Sequence, residues 1–347
     1  MSDEDRLLSE LPPEFGSGVI GVCDVCGTRQ AVIVLQKERF QLCVLDFLNK
    51  SWLESKAKPG RPLPPYRSER VWYPTEFASS GRAPAIRLAP TKEVRRPAVL
   101  LTPDVYGLTT TLLDAGIRCA RAGFEVLLPD LTKTDGLSPA DHLSLRTDLQ
   151  FRGGVRLESP RVRRLVGLYG DALRSLRGFP LVDPEKVALF GAYYGAAFAL
   201  ALAGEDRRVA AVALASPVAV RPAEFLRLVS VPVLLLGGGA DRPTSKLVEA
   251  WTPILTGAQT PFETQLESGV GARYLARDLS GYDLASAERS WHRLLEFYGR
   301  QLRPPPPKPP APPHVVNAPA ASPPPAAPKP AAAPAASAVA PAAPAPV

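Results

Sequence analysis

The chain has 347 residues, with 41 Lys and Arg against 34 Asp and Glu, and it contains 40 Pro but only 4 Cys. A chain of this length holds one large domain or two ordinary ones, and four scattered cysteines are too few for a disulfide scaffold. No run of about 18 apolar residues is present, which excludes a membrane-spanning helix. The first residues are acidic and include no apolar stretch, so we expect no secretory signal and a cytoplasmic location.

The prolines are unevenly distributed along the chain. Eighteen of them fall in residues 303–347, where Ala fills most of the other positions. Such a segment cannot form a helix, a strand or a packed core, so we predict a disordered Pro/Ala-rich tail. The tail also holds three basic residues and no acidic residue, and the rest of the chain has a net charge of +4. The high pI therefore gives no reason to expect nucleic acid.

A Pro-rich linker, residues 59–67, separates residues 1–58 from a region, 68–302, in which short apolar runs alternate with helical patterns. The apolar runs lack the alternation of half-exposed strands, which is typical of parallel strands covered on both faces. Repeated strand–helix units of this kind predict an α/β domain with a doubly wound, mostly parallel sheet. The predicted strands are 98–102, 125–128, 187–190, 209–215 and 231–236, and the predicted helices are 112–122, 162–177, 195–203 and 284–302.

One junction between a strand and a helix indicates a specific kind of site. The predicted strand at 187–190 is followed by Gly-Ala-Tyr-Tyr-Gly at 191–195 and then by a helix of small residues. In α/β-hydrolases a G-x-S-x-G turn at such a junction presents the catalytic nucleophile. Here Tyr193 stands where the nucleophile would be, between Gly191 and Gly195.

Four further segments accompany this turn in a fixed order. They are Pro-Ala-Val-Leu-Leu-Thr-Pro-Asp-Val-Tyr-Gly at 97–107, Arg-Ala-Gly-Phe-Glu-Val-Leu-Leu-Pro-Asp-Leu at 121–131, Leu-Gly-Gly-Gly-Ala-Asp at 236–241 and Gly-Val-Gly-Ala-Arg-Tyr-Leu-Ala-Arg at 269–277. Together the five segments resemble the dienelactone hydrolase family over residues 70 to 302. The resemblance implies an α/β-hydrolase fold for this region.

The same resemblance implies roles for individual residues. Tyr193 stands at the nucleophile position, Asp241 at the position of the triad acid, and Ala272 at the position of the triad histidine. For Tyr193 a tight structural turn is the alternative, and for Asp241 the alternative is a cap on the helix near residues 243–246. The resemblance also implies an oxyanion hole from two backbone N–H groups and two cleft residues: Val105 and Tyr194 for the hole, and Asp104 and Tyr274 for the cleft.

Two of the three triad positions therefore lack the usual residue. A phenol is protonated at neutral pH and needs an adjacent base before it can attack an ester. Of the three histidines, His142 lies in a predicted loop far in sequence from residue 272, His292 lies within the last predicted helix, and His314 lies in the predicted tail. One hypothesis is that the triad has been lost and that the protein binds a small ligand or a protein. The alternative is an active carboxylic ester or lactone hydrolase with an atypical catalytic set. Neither hypothesis needs an organic cofactor.

The amino-terminal region contains a pattern typical of zinc sites. Cys23 and Cys26 form a C-x2-C turn followed by glycine, and Cys43 and Asp46 follow as a C-x2-D pair at an apparent helix start. The spacing predicts a treble-clef or zinc-ribbon-like module, residues 1–58, with a structural zinc held by three sulfurs and one carboxylate. A degenerate ribbon without metal and a redox disulfide are the alternatives.

The remaining predictions of binding partners concern the two terminal segments and one Arg-rich stretch. The zinc module and the Pro-rich tail are candidate protein-binding segments, although the tail is also explained as a solubilising extension. Five arginines fall in residues 152–164, with Glu158 and Pro160 among them. This stretch is better explained as a solvated loop and helix start than as an RNA site, because no aromatic residues accompany it. We expect no membrane partner.

Overall fold

The computed structural model describes residues 66–105, 107–130, 134, 154–277 and 279–302, together with the backbone of four short strands between residues 21 and 42. These four strands form two antiparallel pairs. In the first, β1 (Gly21–Val22) pairs with β2 (Gln30–Ala31). In the second, β3 (Ile33–Leu35) pairs with β4 (Phe40–Leu42). The predicted tail lies outside the described residues.

Ten further strands follow from residue 66 onward. They are β5 (Tyr66–Pro74), β6 (Arg82–Pro90), β7 (Arg96–Thr102), β8 (Glu125–Pro129), β9 (Val155–Arg156), β10 (Val182–Ala192), β11 (Val209–Ala215), β12 (Val220–Arg221), β13 (Val233–Gly238) and β14 (Phe262–Glu267). Eight of them form one sheet in the order β14-β13-β11-β10-β7-β8-β6-β5, while β9 and β12 form a separate parallel pair.

The sheet is parallel from β14 to β8 and antiparallel at the other edge. The pairs β13–β14, β11–β13, β10–β11, β7–β10 and β7–β8 are all parallel. At the opposite edge β6 runs antiparallel to β8, and β5 runs antiparallel to β6. The mostly parallel sheet confirms the prediction from the apolar runs, and the antiparallel edge is an addition that those runs did not indicate.

Within the described ranges, five α-helices cover the two faces of the sheet, and one 3-10 helix covers residues Ala223–Leu228. The α-helices are α1 (Thr110–Arg121), α2 (Pro160–Arg177), α3 (Tyr194–Glu205), α4 (Arg242–Gly257) and α5 (Leu284–Leu302). Adjacent residues of β7 show how both faces are used, because Leu100 packs into the core beside α2 and α3 while Leu101 packs into the core beside α1 and α5. A sheet buried in this way needs apolar residues at successive positions, as the sequence shows.

Helix α3 is covered by other elements along most of its length. Its residues from Gly195 to Ala203 are all buried. Small side chains let such a helix approach the sheet closely, which explains its composition of Ala and Gly. None of the helices in the described part of the chain combines the length and the apolar character that a membrane-spanning segment needs.

The structure moves one predicted boundary. Strand β5 begins at Tyr66, whose side chain is buried in the core, so Tyr66 and Arg67 belong to the sheet and not to the predicted linker. In parallel sheets the carboxyl ends of the strands meet at one edge, where α/β proteins form their sites. The ends of β7, β10, β11 and β13 therefore define the edge where the site is expected.

Candidate functional site

The turn after β10 has the strained geometry of a nucleophile elbow. Tyr193 has φ 51° and ψ −118°, a backbone conformation that residues other than glycine seldom adopt. A Cβ atom at Gly191 would lie 2.3 Å from the carbonyl oxygen of Gly195, and one at Gly195 would lie 2.2 Å from the carbonyl oxygen of Thr102. Both flanking positions therefore require glycine, because backbone atoms occupy the space that a side chain would need.

The phenol of Tyr193 reaches the loop that carries Ala272. Tyr193 Oη donates to the carbonyl oxygen of Ala272 at 3.3 Å. The hydroxyl of Ser216, at the end of β11, donates to the same oxygen at 2.8 Å. The structure thus brings the nucleophile and histidine positions into contact, although their residues are 79 positions apart in the sequence.

Asp241 lies beside that loop, but its carboxylate caps a helix. The backbone N–H of Ala240 donates to the carbonyl oxygen of Val270 at 3.0 Å, so the two loops are adjacent. Asp241 is the N-cap of α4: its Oδ2 accepts from the N–H of Thr244 at 3.2 Å and from the Thr244 hydroxyl at 2.5 Å. This arrangement satisfies backbone donors that would otherwise have no partner, and it confirms the capping alternative for Asp241.

The loop after β7, predicted to supply the first oxyanion donor, packs against the elbow. Thr102 Oγ1 donates to the carbonyl oxygen of Gly195 at 2.8 Å, and Tyr169 Oη donates to the carbonyl oxygen of Pro103 at 2.8 Å. Val105 is buried in this loop, and Tyr194 begins α3 on the other side of the elbow. The structure therefore places the two predicted oxyanion residues on adjoining segments. Convergence of their N–H groups on one point stays a prediction.

The two predicted cleft residues are both buried. Tyr274 has no exposed surface, and its hydroxyl lies 2.7 Å from Ser290 Oγ on α5. Burial raises the pKa of the Tyr274 phenol well above its usual range. Tyr274 is thus a core residue that anchors the loop to α5, and the expectation that it faces a cleft is corrected. Asp104 is 1% exposed and lies near Tyr169, whose pKa is raised by burial and, less strongly, by nearby groups that include Asp104.

Sequence reasoning missed Ser216 as part of this site. Ser216 has φ 44° and its N–H donates to the carbonyl oxygen of Leu236 at 2.8 Å, so it joins β11, β13 and the Ala272 loop. Its position directly after a buried strand was the available signal, because residues at the carboxyl ends of parallel strands gather at one edge.

The described residues provide no histidine and no metal site at the elbow. His292, the one histidine among them, lies on α5 with its side chain 75% exposed, 3.5 Å from Glu296. No group of three or more His, Cys, Asp or Glu side chains in the described ranges could hold a metal ion. The predicted zinc ligands Cys23, Cys26, Cys43 and Asp46 lie outside those ranges, so the zinc site stays a prediction.

Comparison with known proteins agrees with this geometry. The family model for the "Dienelactone hydrolase family" matches residues 84–302. A curated Bradyrhizobium protein named "Probable 2-oxo-3-(5-oxofuran-2-ylidene)propanoate lactonase" is 23% identical over 211 residues, which cover 58% of this chain and 82% of that protein.

Solved structures show the same fold at low sequence identity. A dienelactone hydrolase-like promiscuous phosphotriesterase from metagenomic libraries has a TM-score of 0.56 at 20% identity, covering 69% of this chain and 99% of that one. The dienelactone hydrolase from Anabaena variabilis has a TM-score of 0.50 at 20% identity, covering 69% of this chain and all of that one. The family match spans more than half of the sequence and includes the elbow, the capped acid position and the Ala272 loop. The chain therefore belongs to the dienelactone hydrolase family.

Proposed function

We propose that this chain is a family member that does not hydrolyse esters through a catalytic triad and that binds a small ligand or a protein partner instead. One observation carries the proposal: Tyr193 Oη donates to the carbonyl oxygen of Ala272 at 3.3 Å, at the place where a hydrolase has its nucleophile and its base. A carbonyl oxygen holds a hydroxyl group in position, but it is far too weak a base to take the proton of a phenol at neutral pH.

The acid position supports the same conclusion. In a triad the carboxylate orients a histidine, which then accepts the proton of the nucleophile. Here the Asp241 carboxylate accepts two hydrogen bonds from Thr244, and Ala272 has no titratable side chain that it could orient. A protonated phenol is a poor nucleophile, and a triad hydrolase uses a histidine, at the position that Ala272 occupies here, to activate its nucleophile.

We further propose that the backbone of the site can bind an oxygen atom of a ligand. An oxyanion hole can be made of backbone N–H groups, and these groups donate hydrogen bonds whatever side chains their residues carry. We propose that Val105 and Tyr194 supply these N–H groups and that the ligand carries a carbonyl or carboxylate oxygen. A lactone is the first compound to test, because the Bradyrhizobium relative is named as a lactonase. Residues 1–58 and 303–347 are the proposed attachment points for protein partners.

One observation favours the second candidate, an active hydrolase with an atypical catalytic set. Tyr193 keeps the strained φ of 51° that an elbow uses to present its nucleophile. Strain of this kind costs about 1–3 kcal/mol and is common at functional sites. A direct activity measurement separates the two candidates.

The decisive experiment compares the wild-type chain with Tyr193→Phe on p-nitrophenyl acetate and on a dienelactone. Tyr282→Phe serves as the matched control, because it removes one phenol outside the elbow. We expect all three proteins to hydrolyse both compounds at the same background rate. A wild-type rate that disappears in Tyr193→Phe but persists in Tyr282→Phe would establish the second candidate.

Ligand binding is measured separately from turnover. If the elbow region binds a lactone, the lactone should raise the melting temperature of the wild-type chain and be recovered unchanged after incubation. Failure of any lactone to shift the melting temperature would reject this ligand class and leave protein binding as the proposed role.

A further inference from the structure

Two arginines stand side by side on the short parallel pair of β9 and β12. Arg156 and Arg221 are Cα partners in this pair, and both side chains are exposed. The residues before them, Val155 and Val220, are buried in the core. Because side chains alternate along a strand, the two arginines project from the same outer face, on strands about 4.8 Å apart.

Among the residues that the structure describes, no carboxylate pairs with either arginine. Within the described part of the chain, Arg156 and Arg221 form no ion pair, and Glu158, the one acidic residue between positions 154 and 164, forms none either. Like charges placed directly opposite each other on neighbouring strands are destabilising. Arg87, which is half-buried in the same domain, does have such a partner, because its Nε lies 2.5 Å from the buried Glu125 carboxylate.

Two backbone hydrogen bonds hold the turn that follows this pair. The N–H of Leu157 donates to the carbonyl oxygen of Arg221 at 3.1 Å, and the N–H of Ser159 donates to that of Arg156 at 3.2 Å. This turn leads directly into α2, which has no acidic residue in its first turn.

We propose that Arg156 and Arg221, which we call the arginine surface, bind a phosphate-bearing anion. A guanidinium group donates two parallel hydrogen bonds to a phosphate or carboxylate. A phosphate group carries close to two negative charges and three acceptor oxygens, so a single group satisfies both Arg156 and Arg221. A carboxylate carries one charge and leaves one of the two arginines unbalanced. The proposal does not depend on the chemistry of the elbow.

Inorganic pyrophosphate is the probe, and isothermal titration of the full chain is the measurement. Arg156→Gln/Arg221→Gln removes the cross-strand pair and keeps side chains of similar length. The matched control is Arg207→Gln/Arg242→Gln, which lowers the net charge equally at exposed arginines outside the arginine surface. We expect the affinity for pyrophosphate to fall about tenfold or more in the first variant and to stay unchanged in the control.

Two outcomes would overturn the proposal. If the wild-type chain does not bind pyrophosphate, or if both double variants lose the same affinity, the arginines form no site. An oligoglutamate peptide of matched charge is titrated in parallel. If it binds the wild-type chain as tightly as pyrophosphate does and loses the same affinity in the first variant, the surface binds acidic peptides and not phosphate.

Discussion

Ser216 donates its hydroxyl group to the carbonyl oxygen of Ala272 across 2.8 Å while its own backbone has φ 44°. The residue before it, Ala215, accepts a hydrogen bond from the N–H of Tyr193 at 2.9 Å. The end of β11 thus connects the elbow to the loop at the histidine position. The contact between Tyr193 and Ala272 therefore depends on an anchor that neither of these residues provides.

Ser216→Ala should lower the free energy of unfolding by about 1 kcal/mol, the usual net contribution of one hydrogen bond. Ser216→Gly loses the same hydrogen bond, but glycine tolerates the positive φ. Its free energy of unfolding should therefore decrease less than that of Ser216→Ala. Urea unfolding measures both values. Ser80→Ala, at an exposed serine, is the control and should change stability by less than about 0.5 kcal/mol. A glycine variant less stable than the alanine variant would contradict the strain at Ser216.

Gly195→Ala should destabilise the domain by about 3 kcal/mol or more. The new Cβ would lie 2.2 Å from the carbonyl oxygen of Thr102, a backbone atom that cannot move without disturbing β7. Gly299→Ala is the control, since that glycine lies in α5 and a Cβ there meets nothing within 4 Å. It should stabilise the protein by about 0.5–1 kcal/mol through helix propensity. Equal melting temperatures for the two variants would contradict the close packing at the elbow.

Asp241→Ala should lower the free energy of unfolding by about 1 kcal/mol, because the N-cap of α4 is lost. Asp241→Asn keeps a capping oxygen and should lose much less. Any residual hydrolysis should be the same in both variants and in the wild type. If Asp241 acted as a triad acid, Asp241→Asn would reduce the rate by orders of magnitude while retaining stability. Chemical denaturation and an esterase assay on the same preparations distinguish the two roles.

Asp114 should make the protein less stable as the pH rises. Its carboxyl is buried on α1, and burial raises its pKa, although Arg277 at 3.3 Å and Arg118 act in the opposite direction. The folded protein therefore holds this proton more tightly than the unfolded chain, whose Asp has a pKa of about 3.9. The free energy of unfolding should fall between that pH and the raised pKa of the folded state, and then level off.

The measurement for Asp114 is the difference in unfolding free energy between the wild type and Asp114→Asn from pH 3.5 to 7. The wild type should lose stability relative to the variant as the pH increases. A gain relative to the variant would mean that the ion pair with Arg277 outweighs burial and that the sign is wrong.

The amino-terminal module should contain one zinc ion per chain. Thiolates at Cys23, Cys26 and Cys43 need a cation that offsets their charge, and a module of about 50 residues has little core of its own. Removal of the metal should unfold this module and leave the larger domain folded, because no predicted ligand comes from beyond the linker. Elemental analysis of untagged protein checks the stoichiometry. A value near zero, with all thiols titrating in the native chain, would support the degenerate ribbon.

The buried strands were predictable because short, continuous apolar runs are typical of parallel strands that are covered on both faces. The bounds of β11 agree with the sequence prediction, and β7, β8, β10 and β13 each contain most or all of the predicted run. Strand β6 was not predicted; it contains Pro84 and Pro90, residues that are uncommon within strands, and yet it pairs with both of its neighbours. Strand β14 was missed because an edge strand with partly exposed residues has no continuous apolar run.

The segments that form the site could be predicted from their order in the sequence, but the directions of their side chains could not. Five segments in sequence order were enough to bring Tyr193 and the Ala272 loop together. The same alignment placed Tyr274 in a cleft, whereas its side chain turns into the core and bonds to Ser290. Sequence order determines which loops meet at the sheet edge, while local packing determines where each side chain points. Ser216 lacked any motif, and only its position after β11 distinguished it.

Gly191 and Gly195 are required by the fold itself, so their presence does not indicate whether the site is catalytically active. Both glycines are required by contacts with backbone atoms, and those contacts do not involve the side chain of residue 193. A protein of this fold can therefore lose its catalytic activity and still retain both glycines, because replacing them would disrupt the fold. Automated assignment of hydrolase activity within this family should depend on the residues that align with 193 and 272, and not on the glycines between which the tyrosine stands.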